Sequence, residues 1–131
     1  MIFVDTGAWF ASVVPTDPDH AAAKAWLGSN QEPLFTTDYV VDETLTLLKV
    51  RGQMARALAI GSAFFDSSLA TIHHLTDAEL RLAWGVFSKF TDKDWSFTDC
   101  TSKIVIEQLG VQQVFAFDRH FRQFGTVTVV P

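Results

Sequence analysis

The chain has 131 residues, 48% of them hydrophobic, with 12 Phe, 4 Trp and a net charge of −5. That length suits one domain burying roughly two thirds of its unfolded surface, and the composition excludes a disordered or low-complexity chain. The negative balance excludes coating of nucleic acid by bulk electrostatics, but not chemistry on a phosphate through bound cations. No apolar run approaches the roughly 20 residues of a bilayer-crossing helix and no basic leader precedes the first strand, so a cytoplasmic protein is expected. Cys100 has no partner for a disulfide and no ligand spacing around it for zinc, and is expected to be a small buried thiol.

In chain order, Ile2-Phe3-Val4-Asp5 predicts a buried strand ending in a carboxylate, and Thr6 to Ala11 a helix. Asp17-Pro18 opens a second helix by N-cap and first-turn proline, closed at Gly28. Leu34 to Thr37 is a second strand, after which Asp38 is expected to cap a helix running to about Arg51-Gly52. On that helix Asp42 shares a solvated face with Thr46 and Lys49, whereas Glu43 falls on the apolar stripe Val40, Leu47 and Val50. A buried unpaired carboxylate is costly, so Glu43 needs either a cationic partner or a cleft where a metal neutralises it. Met54 to Phe65 follows helical spacing and forms a hairpin with the preceding helix, its exposed parts serving as dimer surface.

Ala70 to Leu75 is a third strand, with His73 and His74 on opposite faces. Thr76 and Glu79 form a capping box for a helix whose core stripe is expected to be Leu80, Trp84, Phe87 and Phe90. The segment Asp94-Trp95-Ser96-Phe97-Thr98-Asp99 runs into a helix with Thr98 as expected N-cap, Asp99 in its first turn, and Ile104, Val105 and Leu109 as its apolar stripe. Gly110 stops it. Val114 to Asp118 echoes the opening strand and its terminal Asp, a short helical segment spans Arg119 to Phe124, and Val127 to Val130 is an edge strand.

Strands alternating with helices predict a three-layer α/β/α domain over residues 1–131, its mostly parallel sheet having four to five strands. Ligands of such sheets bind outside the C-terminal strand ends. Asp5 and Asp118 end strands there, Asp99 begins a helix nearby, and Glu43 lies one helical turn past the second strand. Four carboxylates without matching basic partners repel one another unless they bind cations, and hard oxygen donors choose Mg²⁺ or Mn²⁺ over zinc.

At these residues the chain resembles the PIN-domain nucleases. The likeness lies in Ile2-Phe3-Val4-Asp5-Thr6, Glu43 on its helix, Asp94 to Ser102, and Phe115-Ala116-Phe117-Asp118-Arg119-His120-Phe121, so it covers nearly the whole chain. Small members of this size look like the VapC toxins of toxin-antitoxin pairs. The resemblance implies a Mg²⁺-dependent endoribonuclease, usually a homodimer, restrained by a small antitoxin. By motif it makes Asp5, Glu43, Asp99 and Asp118 the acidic metal-binding and catalytic quartet, with Asp94 near it. Lys93, Lys103, Arg119 and His120 flank the motifs as candidates for holding substrate phosphates. A basic antitoxin segment is expected to enter the acidic cleft beside Glu43 and Asp118. A haloacid-dehalogenase-like phosphatase is a poor alternative, because Asp5-Thr6-Gly7 lacks its second Asp. A receiver domain fits no better, because His74-Leu75-Thr76 stands where the phospho-accepting Asp belongs. A non-catalytic module docking a basic peptide is the alternative from a different class.

Overall fold

A computed structural model describes residues 1–131. Its strands are β1 (Ile2–Val4), β2 (Leu34–Thr37), β3 (Thr71–His73), β4 (Gln113–Phe115) and β5 (Thr128–Val130). They form one sheet in the order β3-β2-β1-β4-β5, every neighbouring pair parallel. The predicted alternation is therefore realised as an all-parallel sheet of five, with β5 at an edge. Successive strand residues face opposite sides, yet Ile2, Phe3 and Val4 are all buried, so β1 is covered on both faces.

The helices are α1 (Thr6–Val13), α2 (His20–Ser29), α3 (Asp38–Val50), α4 (Met54–Phe65), α5 (Asp77–Lys89), α6 (Phe97–Gln108) and α7 (His120–Gln123). Aromatic packing locks them to the sheet. Trp26 of α2 meets Phe115 of β4 at 4.2 Å, and Phe121 of α7 meets Phe3 of β1 at 6.2 Å. Such pairs add about 0.5–1.5 kcal/mol each beyond the area they bury.

Two helices end as their glycines predict. Gly52 and Gly110 take φ of 72° and 63°, and each stop carries the paired bonds of a Schellman motif: Gln53 N–H to Leu48 O and Gly52 N–H to Lys49 O, Val111 N–H to Ile106 O and Gly110 N–H to Glu107 O. Helix starts depart from prediction more often. Thr37, not Asp38, caps α3 by accepting the Val40 amide at 3.1 Å, and Asp38 instead accepts the Leu75 amide at 3.1 Å, tying α3 to the chain after β3. Ser96, not Thr98, caps α6. Helix α2 begins only at His20, although Asp17 makes the bond of an N-cap by accepting the Asp19 amide at 2.8 Å, and Gly28 lies inside the helix.

The apolar stripe expected on α5 is also shifted. Its inward face is Glu79 and Ala83, with Val86 and Phe90 half-buried, whereas Trp84 and Phe87 are 61% and 40% exposed. Leu109, expected in the stripe of α6, is exposed as well. The hairpin of α3 and α4 packs closely, a Cβ on Gly61 falling 3.4 Å from Leu45 Cδ2. Its outer side exposes Val50, Met54, Leu58 and Phe65, and a groove of about 480 Å³ runs between the two helices.

Candidate active site

The chain lays β2 and β3 on one side of β1 and β4 and β5 on the other, so the crevice beyond the C-terminal ends of β1 and β4 is the topological switch point of the sheet. Asp5 leaves β1 there, its amide donating to the Phe115 carbonyl of β4 at 3.1 Å. It stands where an N-cap stands, yet its carboxylate accepts no capping hydrogen bond from α1. The buried side chain instead lines a cavity of about 310 Å³ with Glu43, Asp94, Asp99, Asp118 and His120. All four carboxylates singled out in the sequence thus meet in one crevice, with Asp94 at its wall. One placement differs from prediction: Asp118 lies three residues beyond β4, in the exposed turn before α7, not at a strand end.

Burial is the first cause that pushes the Asp5 carboxyl up, to about 8, followed by the charge of Asp99. The Thr6 amide pulls it down, and Glu43 and Asp118 push it up again. Asp99 is also raised, by burial first, against the Ser96 amide and His120, which favour its charged form. The stripe expected around Glu43 is not realised in full, since Val50 is exposed and Val40, Val41, Thr44 and Leu48 face inward, but Glu43 is half-buried without an ion pair or a hydrogen bond, which removes the cationic-partner explanation. No Lys or Arg lines the cavity.

These donors suit a hard, oxygen-seeking cation: carboxylates in a cavity that no Lys or Arg lines, only His120 facing two of them, beside the buried and unpartnered Thr6 hydroxyl. They do not suit a tight all-protein cage, since no three of the His, Cys, Asp and Glu side chains are preassembled around one point. Mg²⁺, which keeps several of its waters and takes one or two carboxylates, fits such a loose set better than zinc.

The expected phosphate-holding residues separate. Lys103 pairs with Glu107 and lies over the Phe124 ring at 5.8 Å, Lys93 approaches Asp92 at 3.9 Å, and neither lines the cavity. Arg119 is exposed and outside it. His120 lines the cavity but turns towards the acids: its Nδ1 is 3.0 Å from Asp99 Oδ2 and 3.2 Å from Asp118 Oδ1. Ser96 was not singled out by sequence reasoning, although its spacing to Asp99 is the signal of a capping box with Asp in place of Glu.

The chain belongs to the PIN domain family, whose profile matches residues 2–127. Among its relatives is VapC20 of Mycobacterium tuberculosis, a 23S rRNA-specific endonuclease, 34% identical over 131 residues that span 100% of this chain and 99% of that one. The VapC ribonuclease of Archaeoglobus fulgidus is 32% identical over 123 residues, 90% of this chain and 77% of that one. The crystal structure of VapC20, a Sarcin-Ricin loop cleaving toxin, superposes with a TM-score of 0.92 at 33% identity over 100% of both chains. FitAcB from Neisseria gonorrhoeae, at 15% identity and a TM-score of 0.67 over 100% of this chain and 97% of that one, shares the fold. The chain is a VapC-type endoribonuclease, as the motifs led one to expect. No helix is long and apolar enough to cross a membrane.

Proposed function

We propose that the chain hydrolyses RNA phosphodiester bonds in the crevice between β1 and β4 with Mg²⁺, for which Mn²⁺ substitutes, acting in the cytoplasm as the toxin of a type II pair. The observation that carries this reading is the convergence of Asp5, Glu43, Asp99 and Asp118 on one cavity that no Lys or Arg lines, with the Asp5 carboxyl buried among them. Asp5 and Asp99 would bind the ion directly, and Glu43 and Asp118 directly or through water. A bound divalent ion supplies an acidified water and positive charge against the phosphate oxygens. Near neutral pH the metal-free protein keeps Asp5 protonated, so Asp5 releases a proton as the site fills. Asp99 is fixed at the first turn of α6, where the helix dipole favours its charge.

Ribosomal RNA is the substrate class to test first, given the relative that shares a third of its residues over the full chain. The partner would be a small antitoxin whose basic segment enters the crevice beside Glu43 and Asp118. A homodimer would cover the apolar side chains exposed on α3, α4 and α5. The test is a cleavage assay on ribosomal RNA and on an unstructured RNA, with Mg²⁺, with EDTA, and with Asp99→Asn. Cleavage by wild type in Mg²⁺, lost in the other two conditions, is expected. Cleavage that persists in Asp99→Asn overturns the assignment of the site, and binding of a basic peptide without cleavage favours the non-catalytic module.

A further inference from the structure

His120 is the single ring in the crevice that faces only carboxylate oxygens. Its side chain is 17% exposed, its backbone amide donates to Asp118 Oδ1 at 2.9 Å, and its Nδ1 stands between Asp118 Oδ1 at 3.2 Å and Asp99 Oδ2 at 3.0 Å. A bare nitrogen between two oxygens of acids would repel both, so Nδ1 carries the hydrogen and donates. The oxygens it touches are already committed. Asp99 Oδ2 also accepts the Ser96 amide at 3.0 Å, and Asp118 Oδ1 the His120 amide, while Asp99 Oδ1 and Asp118 Oδ2 accept no hydrogen bond at all. Each of the two acids thus has one oxygen fixed by the protein and one left free.

We propose that His120 is a positioning residue: its Nδ1–H holds Asp99 Oδ2 on α6, its backbone amide and the nearby ring nitrogen hold Asp118 Oδ1 before α7, and one free oxygen of each acid is thereby turned towards the site that Asp5 and Glu43 share. This rests on the reading of the crevice as the metal-binding site. The physical basis is the general one for metal sites, in which ligating carboxylates are held by hydrogen bonds from outside the ligand shell, and loss of such a partner weakens metal affinity or activity by roughly 10–100-fold. The linkage also explains how an exposed turn supplies a well-placed acid. Asp118 has only an Asx turn of its own to hold it, and the ring ties it to the rigid first turn of α6. His120 does not compete for the ion, because its ring donor occupies an oxygen that the cap of α6 had already taken.

The geometry fixes which substitution restores the function. In Asn the side-chain amide nitrogen is as many bonds from Cα as Nδ1 is in His, whereas Ala has no donor. Calorimetric titration of Mn²⁺ into metal-free wild type, His120→Ala, His120→Asn and Asp99→Asn tests the proposal. His120→Ala should bind Mn²⁺ about 10–100-fold more weakly, His120→Asn should recover most of that loss, and thermal melts in EDTA should differ little among the three proteins with an intact Asp99. Should His120→Ala fail to fold, the comparison of wild type with His120→Asn and His120→Leu replaces it. Wild-type affinity in His120→Ala, or His120→Asn no better than Ala, overturns the positioning role. If that happens while Asp99→Asn has lost Mn²⁺, only the His120 proposal fails; if Asp99→Asn binds like wild type, the metal site itself is wrong. Nitrogen-15 shifts of the His120 ring in the metal-free protein give a readout independent of metal, and a bare Nδ1 overturns the proposal.

Discussion

Asp99 has two jobs that one substitution can separate. Its backbone amide donates to Ser96 Oγ and its Oδ2 accepts the Ser96 amide, closing a reciprocal cap on α6, while its charge stands among three other acids. Asn keeps an acceptor oxygen for Ser96 and removes the charge, so metal-free Asp99→Asn should melt at or above wild type and lose cleavage. Ala also loses the acceptor for the Ser96 amide, one half of the reciprocal cap, and should fall about 1 kcal/mol below Asn. Melts in EDTA and in Mg²⁺ check both, with Mg²⁺ raising the wild-type midpoint far more than that of either variant. An Asn variant that melts well below wild type in EDTA would show that Asp99 is chiefly structural. Asp5 gives a pH signature. A carboxyl raised from 3.8 to about 8 is protonated in the fold where the unfolded chain is ionised, so metal-free stability should fall as pH rises from about 4 to 8, and Asp5→Asn should flatten that slope. Cys100, buried and with its thiol pushed up to about 11 first by burial and then by Asp99, should resist alkylation at neutral pH until the protein unfolds.

Among the elements, α5 shows where pattern reading succeeds and where it fails. Its capping box was legible because Thr76 and Glu79 have to be three apart for their bonds to be mutual, and both bonds are present. Its buried face was not legible, because the inward residues are small or charged. Ala83 is fully buried, and Glu79 turns in because His73 of β3 places Nε2 3.0 Å from both its oxygens. Large apolar residues dominate a sequence stripe, so Trp84 and Phe87 were read as core. The cap of α6 failed for a related reason, since Thr98 and Ser96 both offer a hydroxyl and only the fold decides between them. Burial works to raise Glu79, but the Thr76 amide and His73 outweigh it and the net shift is downward. Stability from Glu79 is therefore present above its ordinary value near 4.5 and is lost as pH falls through the lowered one, and Glu79→Gln should remove that acid-side loss from the melting profile.

At the scale of the whole molecule, the parallel sheet, its last strand at an edge and the meeting of four distant acids followed from element order, because strands alternating with helices give parallel sheets whose ligand site lies beyond the C-terminal strand ends, whereas the strand order itself was not legible. Outward apolar faces do not follow in that way: an amphipathic pattern shows that a stripe exists, not what covers it. Two such faces are exposed, Val50, Met54, Leu58 and Phe65 on the hairpin and Leu82, Trp84 and Phe87 on α5. Light scattering at micromolar concentration should give a dimer mass, and Trp84→Ser with Phe87→Ser or Leu58→Ser with Phe65→Ser should shift it to the monomer, identifying which face is shared. A monomer mass for wild type would leave both faces to other partners.

β1, at the middle of the sheet, is synthesised before the other four strands, and its two neighbours are β2 and the much later β4, Val4 pairing with Phe115. Until β4 emerges, β1 has one open side and Asp5 has no Asp118 beside it. A growing polypeptide of this design therefore gains its complete acidic crevice only once β4 and Asp118 have been made, whatever order its helices form in. Assembly of the crevice is a late event in the life of each molecule, and a fragment ending before Phe115 should be inert towards RNA.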